Sequence, residues 1–86
     1  MNRQVVIIAR KNETEKRILS SDVDGYMSVS DWKRHICQQW PAGLLYPNSA
    51  SVSRCLLKLN EQGKVFSRLY ERGWFKQYQF KVNHER

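Results

Sequence analysis

Apolar residues recur at helical spacing in three segments of this chain. In the middle segment they fall at Trp32, Ile36 and Trp40, four residues apart, with polar residues between them. Such spacing puts apolar side chains on one face of a helix. The pattern predicts a helix over 29–40, with Ser28 at the N-cap position. Pro41 ends this helix because the residue before a proline is pushed out of the helical region.

The first segment combines two patterns. Ile18 lies on the apolar stripe of a helix predicted over 13–21, with Asn12 as its N-cap. The unbroken β-branched run at 5–8 instead favours a short strand. We therefore expect residues 1–11 to form an N-terminal arm or strand.

The third segment predicts a helix with one apolar side. Val52, Leu56 and Leu59 repeat at helical spacing, Asn48 is the predicted N-cap, and Gly63 suits the residue that closes a helix. This helix spans about 48–62.

The loop between the second and third helices has an apolar middle. It spans 41–47 and carries Leu44, Leu45 and Tyr46, which we expect to tuck into the core.

After the third helix the pattern changes to the two-residue alternation of strands. Segments 65–70 and 74–82 flank a short turn at 71–73 that ends in glycine, which predicts a β-hairpin. On the second strand one face is expected to meet the core except near the tip, and it consists of Trp74, Lys76, Tyr78, Phe80 and Val82.

Length and composition favour one folded domain. The chain has 86 residues, of which 41% are hydrophobic and 27% charged, enough apolar content for one small core and too short a chain for two. We interpret 13–63 as a three-helix core, 64–82 as the hairpin and 83–86 as a tail. No apolar run approaches the length of a membrane span, which is about 20 residues, and no secretory signal is recognisable. We therefore expect a cytoplasmic protein that does not enter membranes.

The cysteines and histidines give no pattern for catalysis or metal binding. Cys37 and Cys55 are expected to be free thiols on inner helix faces, and His35 and His84 have no evident nucleophile or paired carboxylate. No zinc-ligand spacing and no glycine-rich phosphate loop occur. The sequence predicts neither an enzyme nor a bound cofactor or metal.

The charge is unevenly distributed. The net charge is +7; residues 1–31 are balanced, so the whole excess lies in 32–86. This is the electrostatic footprint of a nucleic-acid binder, although an anionic membrane surface or an acidic protein partner has the same requirement.

The stretch 51–65 resembles the recognition helix of winged helix-turn-helix DNA-binding proteins. The resemblance lies in the small polar start, the sequence Val52-Ser53-Arg54, the leucines three apart and the glycine before the apolar residue that opens the wing. Segment 26–32 is similar to the capped second helix of that family, and together the similar parts cover about 13–82. The connection between helices 2 and 3 is longer than the family's simple turn, and Leu57 stands where the family usually has a polar residue.

The resemblance implies an α+β fold, a winged helix-turn-helix with three helices and a C-terminal β-hairpin wing. Because arginine can donate twice to guanine, Arg54 is the residue we expect to read bases. Serines near it can donate to phosphate or base, and they are Ser49, Ser51 and Ser53. The expected phosphate contacts from helices 2 and 3 are Lys33, Arg34 and Lys58. Those expected from the wing are Arg68, Arg72 and Lys76, with Lys81 as a further basic residue.

The function expected from this combination is sequence-specific binding of double-stranded DNA. A small transcriptional regulator, or a control protein of a phage, plasmid or other mobile element, fits the size, and in a bacterium it would associate with the nucleoid. The alternative is a winged helix that serves as a protein-interaction or inhibitor module in a larger nucleoprotein assembly. A weaker option is binding of RNA or single-stranded DNA through Trp74 and Phe75. A homodimer stays open, with the run at 5–8 adding to the hairpin's sheet within one chain or across two.

Overall fold

The fold consists of three helices and a small antiparallel sheet. A computed structural model describes residues 3–85. In chain order the elements are α1 (Arg3–Leu19), β1 (Met27–Ser28), α2 (Val29–Ile36), α3 (Ser49–Glu61), β2 (Val65–Arg72) and β3 (Phe75–Val82). The strands lie in the order β1-β3-β2, with both pairs antiparallel. The α+β class and the order of three helices before a hairpin are confirmed for the described residues.

The N-terminal strand predicted at 5–8 is wrong, because α1 runs through it. No glycine or proline interrupts the helix, and its buried face is set by Thr14 and Ile18, one turn apart. The β preference of a short Val and Ile run is a weak prior that such tertiary packing overrides. Asn12, the predicted N-cap, is an exposed residue in mid-helix. The N-terminal run therefore adds no strand to the sheet.

Helix α2 is four residues shorter than predicted. Ser28 caps it as expected, since its hydroxyl accepts from Asp31 N at 3.2 Å. After Ile36 the chain turns, and Gln39 adopts a left-handed conformation with φ of 56°. Trp40 is buried nonetheless, outside the helix, so the predicted apolar position is correct and its helical spacing is not.

Contrary to expectation, the apolar residues of the loop after α2 do not pack into the core. Leu45 and Tyr46 are exposed and Leu44 is half-buried, whereas Pro47 is buried. Tyr46 instead stacks on Trp40, with 6.1 Å between ring centroids. The aromatic pair covers one side of the loop and leaves Leu45 exposed to solvent.

The core lies where the three helices meet the sheet. Trp32 is fully buried and donates from Nε1 to Phe80 O at 2.9 Å, which ties α2 to β3. The third strand of the sheet is the extended piece before α2, with Met27 opposite Phe80. The other buried apolar residues come from all three helices and from the base of the hairpin, and they include Ile18, Ile36, Val52, Leu56, Leu59, Val65 and Val82.

The hairpin turn is later and one residue shorter than the predicted turn at 71–73. Arg72 pairs with Phe75, so the loop is Gly73-Trp74 and Arg72 is the last residue of β2. Gly73 has φ of +62°, as the first position of a type II′ turn requires.

Only the base of the hairpin reaches the core. Directly opposed residues share a face, so Ser67 and Phe80 lie on the inner face of the sheet, which the helices cover. Further out on this face Lys76 and Tyr78 are exposed, and Trp74 is 93% exposed at the tip. Of the five residues expected on the core-facing side, Phe80 and Val82 are buried, because the hairpin extends beyond the helices.

Candidate nucleic-acid interface

The solvent-facing side of α3 begins with a well-defined cap. Asn48 Oδ1 accepts from Ser51 N at 2.8 Å, which fixes the start of the helix, and Ser49 beside it is exposed. Arg54 is exposed on the next turn, and its Nε donates to Ala50 O at 3.3 Å. Its two terminal nitrogens make no hydrogen bond with any residue in 5–85, the part of the chain whose side chains the structure describes. The planar end of the arginine is therefore available to a partner.

Two of the predicted contact residues on α3 turn toward α1. Arg10 donates to Ser51 Oγ at 3.4 Å, and Lys58 Nζ lies 3.4 Å from Glu15 Oε2. Ser51 and Lys58 therefore belong to the border between α1 and α3 rather than to the centre of the outer face of α3. The ion pair of Lys58 is partly exposed, so it competes weakly with an external anion.

A groove lies along this border, and four of its eight lining residues are cations, so we call it the cation-lined groove. It lies between α1 and α3, has a volume of about 360 Å³, and receives the basic side chains of Arg10, Lys11, Arg54 and Lys58. The sequence interpretation missed Arg10 and Lys11 because it placed them in an arm or at its end. The helical spacing of Arg10, Thr14 and Ile18 was the signal that could have found them.

A second, shallower groove lies between α2 and the start of α3. It is lined by the predicted phosphate contacts Lys33 and Arg34, together with Ser49 and Tyr46. Arg34 is exposed and Lys33 is half-buried. The structure thus places the cations of α2 beside the first turn of α3.

The groove between α3 and the hairpin is more apolar. Ser53 and Leu57 of α3 face Tyr78 of β3 and the first residues of α2 across it. Leu57 is 50% exposed and Tyr78 is 62% exposed. Ser53 therefore lies beside apolar side chains, away from Arg10 and the cation-lined groove.

The predicted wing contacts are divided between the two faces of the sheet. Lys76 is on the inner face, where its Nζ lies 3.8 Å from Glu71 Oε1 in an exposed pair. Arg68 and Arg72 are on the outer face, because strand neighbours alternate. The three side chains do not form one cluster.

Arg68 is held by other side chains of the sheet. Its Nε donates to Gln79 Oε1 at 3.0 Å, and its guanidinium lies 4.3 Å from the centre of the Tyr26 ring. Lys81 approaches the same ring, at 5.9 Å. Arg72 is exposed next to the turn and is the arginine of the hairpin nearest its tip.

The cysteines have no disulfide partner within residues 3–85. Cys55 is buried on α3 and Cys37 is half-buried after α2. Burial raises the pKa of the Cys55 thiol, and the Glu15 carboxylate raises it further. Burial also raises the pKa of the Cys37 thiol, against the opposing effect of Lys33. Both groups are therefore held in the neutral thiol form, the opposite of what a nucleophilic cysteine needs.

The histidines meet at Ser21, in the loop after α1. His35 Nε2 lies 3.1 Å from Ser21 Oγ, and His84 Nε2 lies 2.9 Å from Ser21 O. His84 is also 3.9 Å from a carboxylate oxygen of Asp24. These contacts tie α2 and the end of the described chain to one loop. Within the described residues no three His, Cys, Asp or Glu side chains are grouped as a metal site would need.

Three comparisons with known proteins give no relative from which to assign a role. No family model matches the chain, and neither the search of curated proteins nor that of solved structures gives a match. Across residues 3–85, no helix has the length and apolar character needed to cross a membrane.

Proposed function

We propose that this chain is a winged helix that binds double-stranded DNA in a sequence-specific manner. The recognition helix 48–62 would enter the major groove, and the wing 65–82 would contact the backbone or the adjacent minor groove. The observation that carries the proposal is the exposed guanidinium of Arg54, whose terminal nitrogens are free on the outer face of a capped helix. The role we propose is that of a small transcriptional regulator or a phage or plasmid control protein.

The chemistry of α3 suits base reading. The major groove is about 12 Å wide and admits one helix, whose N-terminal part meets the base edges. Arg54 can donate in parallel to O6 and N7 of guanine, and Ser49 has a hydroxyl that can donate to a phosphate nearby. Ala50 between them is small enough to allow a close approach.

Cations flank α3 on both sides. Arg10 and Lys11 lie along the groove toward α1, and Lys33 and Arg34 lie along the groove toward α2. A helix seated in the major groove has a phosphate backbone on either side, so cations on both flanks match the charge of a duplex. This arrangement supports a duplex over a small anion, which would need only one of the two groups.

The wing contributes through its tip. Arg72 is exposed beside the turn, and Lys76 is near it on the opposite face. A cation at this position can reach phosphates beyond the major groove. Arg68 is already engaged with Tyr26 and Gln79, so we expect it to contribute less than Arg72.

The test is fluorescence anisotropy of a labelled mixed-sequence duplex across a salt series. Wild type is compared with Arg54→Gln, Arg72→Gln and a control, Lys16→Gln. Lys16 is exposed on the side of α1 away from α3, so the control removes the same charge outside the proposed interface. A second series uses the preferred site selected from random duplexes.

The expected result separates the three variants. Each phosphate contact adds about −0.9 to the slope of log affinity against log salt, so Arg72→Gln should flatten the slope by about that amount. On the selected site, Arg54→Gln should cost about 1–3 kcal/mol and relax the preference at one position. Lys16→Gln should bind like wild type. Absence of binding at low salt, or equal losses in all three variants, contradicts DNA binding.

A second candidate function is a protein-interaction module within a nucleoprotein assembly. It is favoured by Leu57, which lies half exposed near the centre of the outer face of α3 and faces Tyr78 across an apolar groove. A protein partner would cover this groove with apolar side chains. A pair of substitutions distinguishes the two candidates, since Leu57→Gln should abolish protein capture and Arg54→Gln should lower duplex affinity.

A further inference from the structure

The outer edge of the sheet is an uncovered strand. β2 is the last strand in the order β1-β3-β2, so it pairs with β3 on one side, and no strand within residues 3–85 pairs with the other. It has eight residues in continuous register with β3, and it contains no proline. Natural edge strands are usually short, bulged or interrupted by proline, because an open edge is a template for another chain.

The hairpin turn determines which backbone groups point outward. A turn hydrogen bond joins the carbonyl of its first residue to the N–H of its fourth, here Arg72 and Phe75. Hydrogen-bonded pairs alternate along an antiparallel ladder, so the even-numbered residues of β2 point toward β3 and the odd-numbered ones away from it. Val65 confirms this alternation, because its outward carbonyl accepts from Asn60 Nδ2 at 2.8 Å.

The remaining outward groups belong to three residues. They are Ser67, Leu69 and Glu71, whose backbone N–H and C=O groups point into solvent at this edge. Beyond Val65, which Asn60 covers, the edge is therefore open up to the turn.

We propose that β2 pairs in antiparallel fashion with β2 of a second copy, about a two-fold axis at Leu69. Leu69 would lie opposite its own counterpart, and Ser67 opposite Glu71 of the second copy. All of these are hydrogen-bonded pairs, so the outward backbone groups of all three residues find partners. The ladder would end where Asn60 already covers Val65.

The side chains of this register are complementary on both faces. On the outer face, Arg68 lies opposite Tyr70 of the second copy, and Arg72 lies opposite Phe66. The Arg72 cation thus meets an aromatic ring, the kind of cross-strand pair that stabilises a sheet, whereas the Arg68 guanidinium stays over Tyr26 of its own copy. On the inner face, the two Leu69 side chains, each 44% exposed in the single copy, cover one another.

Neighbouring registers bring like charges together. The two-fold axis keeps the inner faces of both copies on one side of the joined sheet. The centre of the pairing can therefore move along β2 only from one residue to the next. A centre at Arg68 places this arginine against itself and Lys64 against Arg72. A centre at Tyr70 places Arg68 against Arg72. Like charges directly opposite are destabilising, so charge favours the register centred on Leu69 over these two neighbours.

The proposal does not rest on DNA binding, because it uses the sheet edge rather than the outer face of α3. The test is sedimentation equilibrium of the full chain without DNA, from low to high micromolar concentration. Two variants add the same charge on the same face of β2. In Leu69→Lys the new charges oppose one another at the axis, whereas in Ser67→Lys each new charge opposes Glu71.

The expected result is a concentration-dependent dimer for wild type. Leu69→Lys should raise the dissociation constant at least about tenfold, whereas Ser67→Lys should keep or tighten it. Circular dichroism of each variant checks that the hairpin is folded. A wild type that stays monomeric at every concentration, or two variants that change the dissociation constant equally, overturns the proposal.

Cysteine cross-linking tests the register itself. Counterpart residues at the axis have Cα atoms about 5.5 Å apart, within the range of a disulfide. Leu69→Cys should therefore form a covalent dimer on mild oxidation. In Ser67→Cys the two thiols would be four residues apart, about 13 Å, and should not join. Wild type, with Cys37 and Cys55, gives the background, and equal cross-linking of the two variants refutes the register.

Discussion

Arg17 should be one of the strongest single contributors to the stability of this domain. Its Nη1 donates to Gln38 O at 2.8 Å and to Ile36 O at 3.3 Å, and its Nη2 donates to Gln39 O at 2.8 Å. Its guanidinium also lies 5.3 Å from the centre of the Trp40 ring. One side chain of α1 thus satisfies the carbonyls that the end of α2 leaves without helical partners.

The magnitude follows from these contacts. A hydrogen bond to a charged group contributes about 1.5–3 kcal/mol net, and a cation over an aromatic ring about 0.5–1 kcal/mol at exposed sites. The Arg17 side chain is 26% exposed, and water can replace it at the two exposed carbonyls, so the low end applies. We expect Arg17→Met to lower the free energy of unfolding by about 2–3 kcal/mol. Domains of this size have about 4–13 kcal/mol in total.

The assay is urea unfolding followed by tryptophan fluorescence. With a slope of about 1 kcal/mol per molar urea, the midpoint of Arg17→Met should fall by about 2–3 M. Arg17→Lys keeps the charge and loses the planar fork, so about half of the loss should remain. The control is Arg34→Met, because Arg34 is exposed on α2 and makes no hydrogen bond with any described residue; its change should stay within about 0.5 kcal/mol. An Arg17→Met midpoint equal to that of this control would refute the argument.

Three further outcomes are expected. Trp32→Phe should lower stability by about 2–4 kcal/mol in urea unfolding, since it removes the buried hydrogen bond from Trp32 Nε1 to Phe80 O and opens a cavity. Asn48→Ala should cost about 1 kcal/mol through loss of the α3 cap, whereas Asn48→Asp should restore most of it. In native protein Cys37 should react with a thiol reagent faster than buried Cys55, and both should react faster as pH rises toward their raised pKa values, because only the thiolate attacks; equal rates for the two would contradict the burial.

Capping residues and apolar stripes predicted the helices well where both signals agreed. Ser28 and Asn48 are caps in the structure, and the apolar positions of α3 are buried as their spacing indicates. The residue at which α2 ends could not be predicted from caps and apolar stripes. Trp40 stands at helical spacing in the sequence but is buried from a turn outside the helix, and Arg17, which holds that turn, is 23 residues away in sequence. A long-range contact of this kind leaves no periodic signal.

One error of element assignment also changed the candidate interface. Reading the run at 5–8 as a strand separated Arg10 and Lys11 from the helical core, so they entered no binding surface. Because α1 is continuous and Thr14 faces α3, Arg10 and Lys11 lie on the same side of the helix, at the groove that Arg54 lines. The charge of that groove is therefore a consequence of how far the helix extends toward the N-terminus. With α1 continuous, Arg10→Gln should reduce the salt dependence of duplex binding. If α1 frayed up to Asn12 in solution, the cations would leave the groove, and Arg10→Gln would leave the salt dependence unchanged.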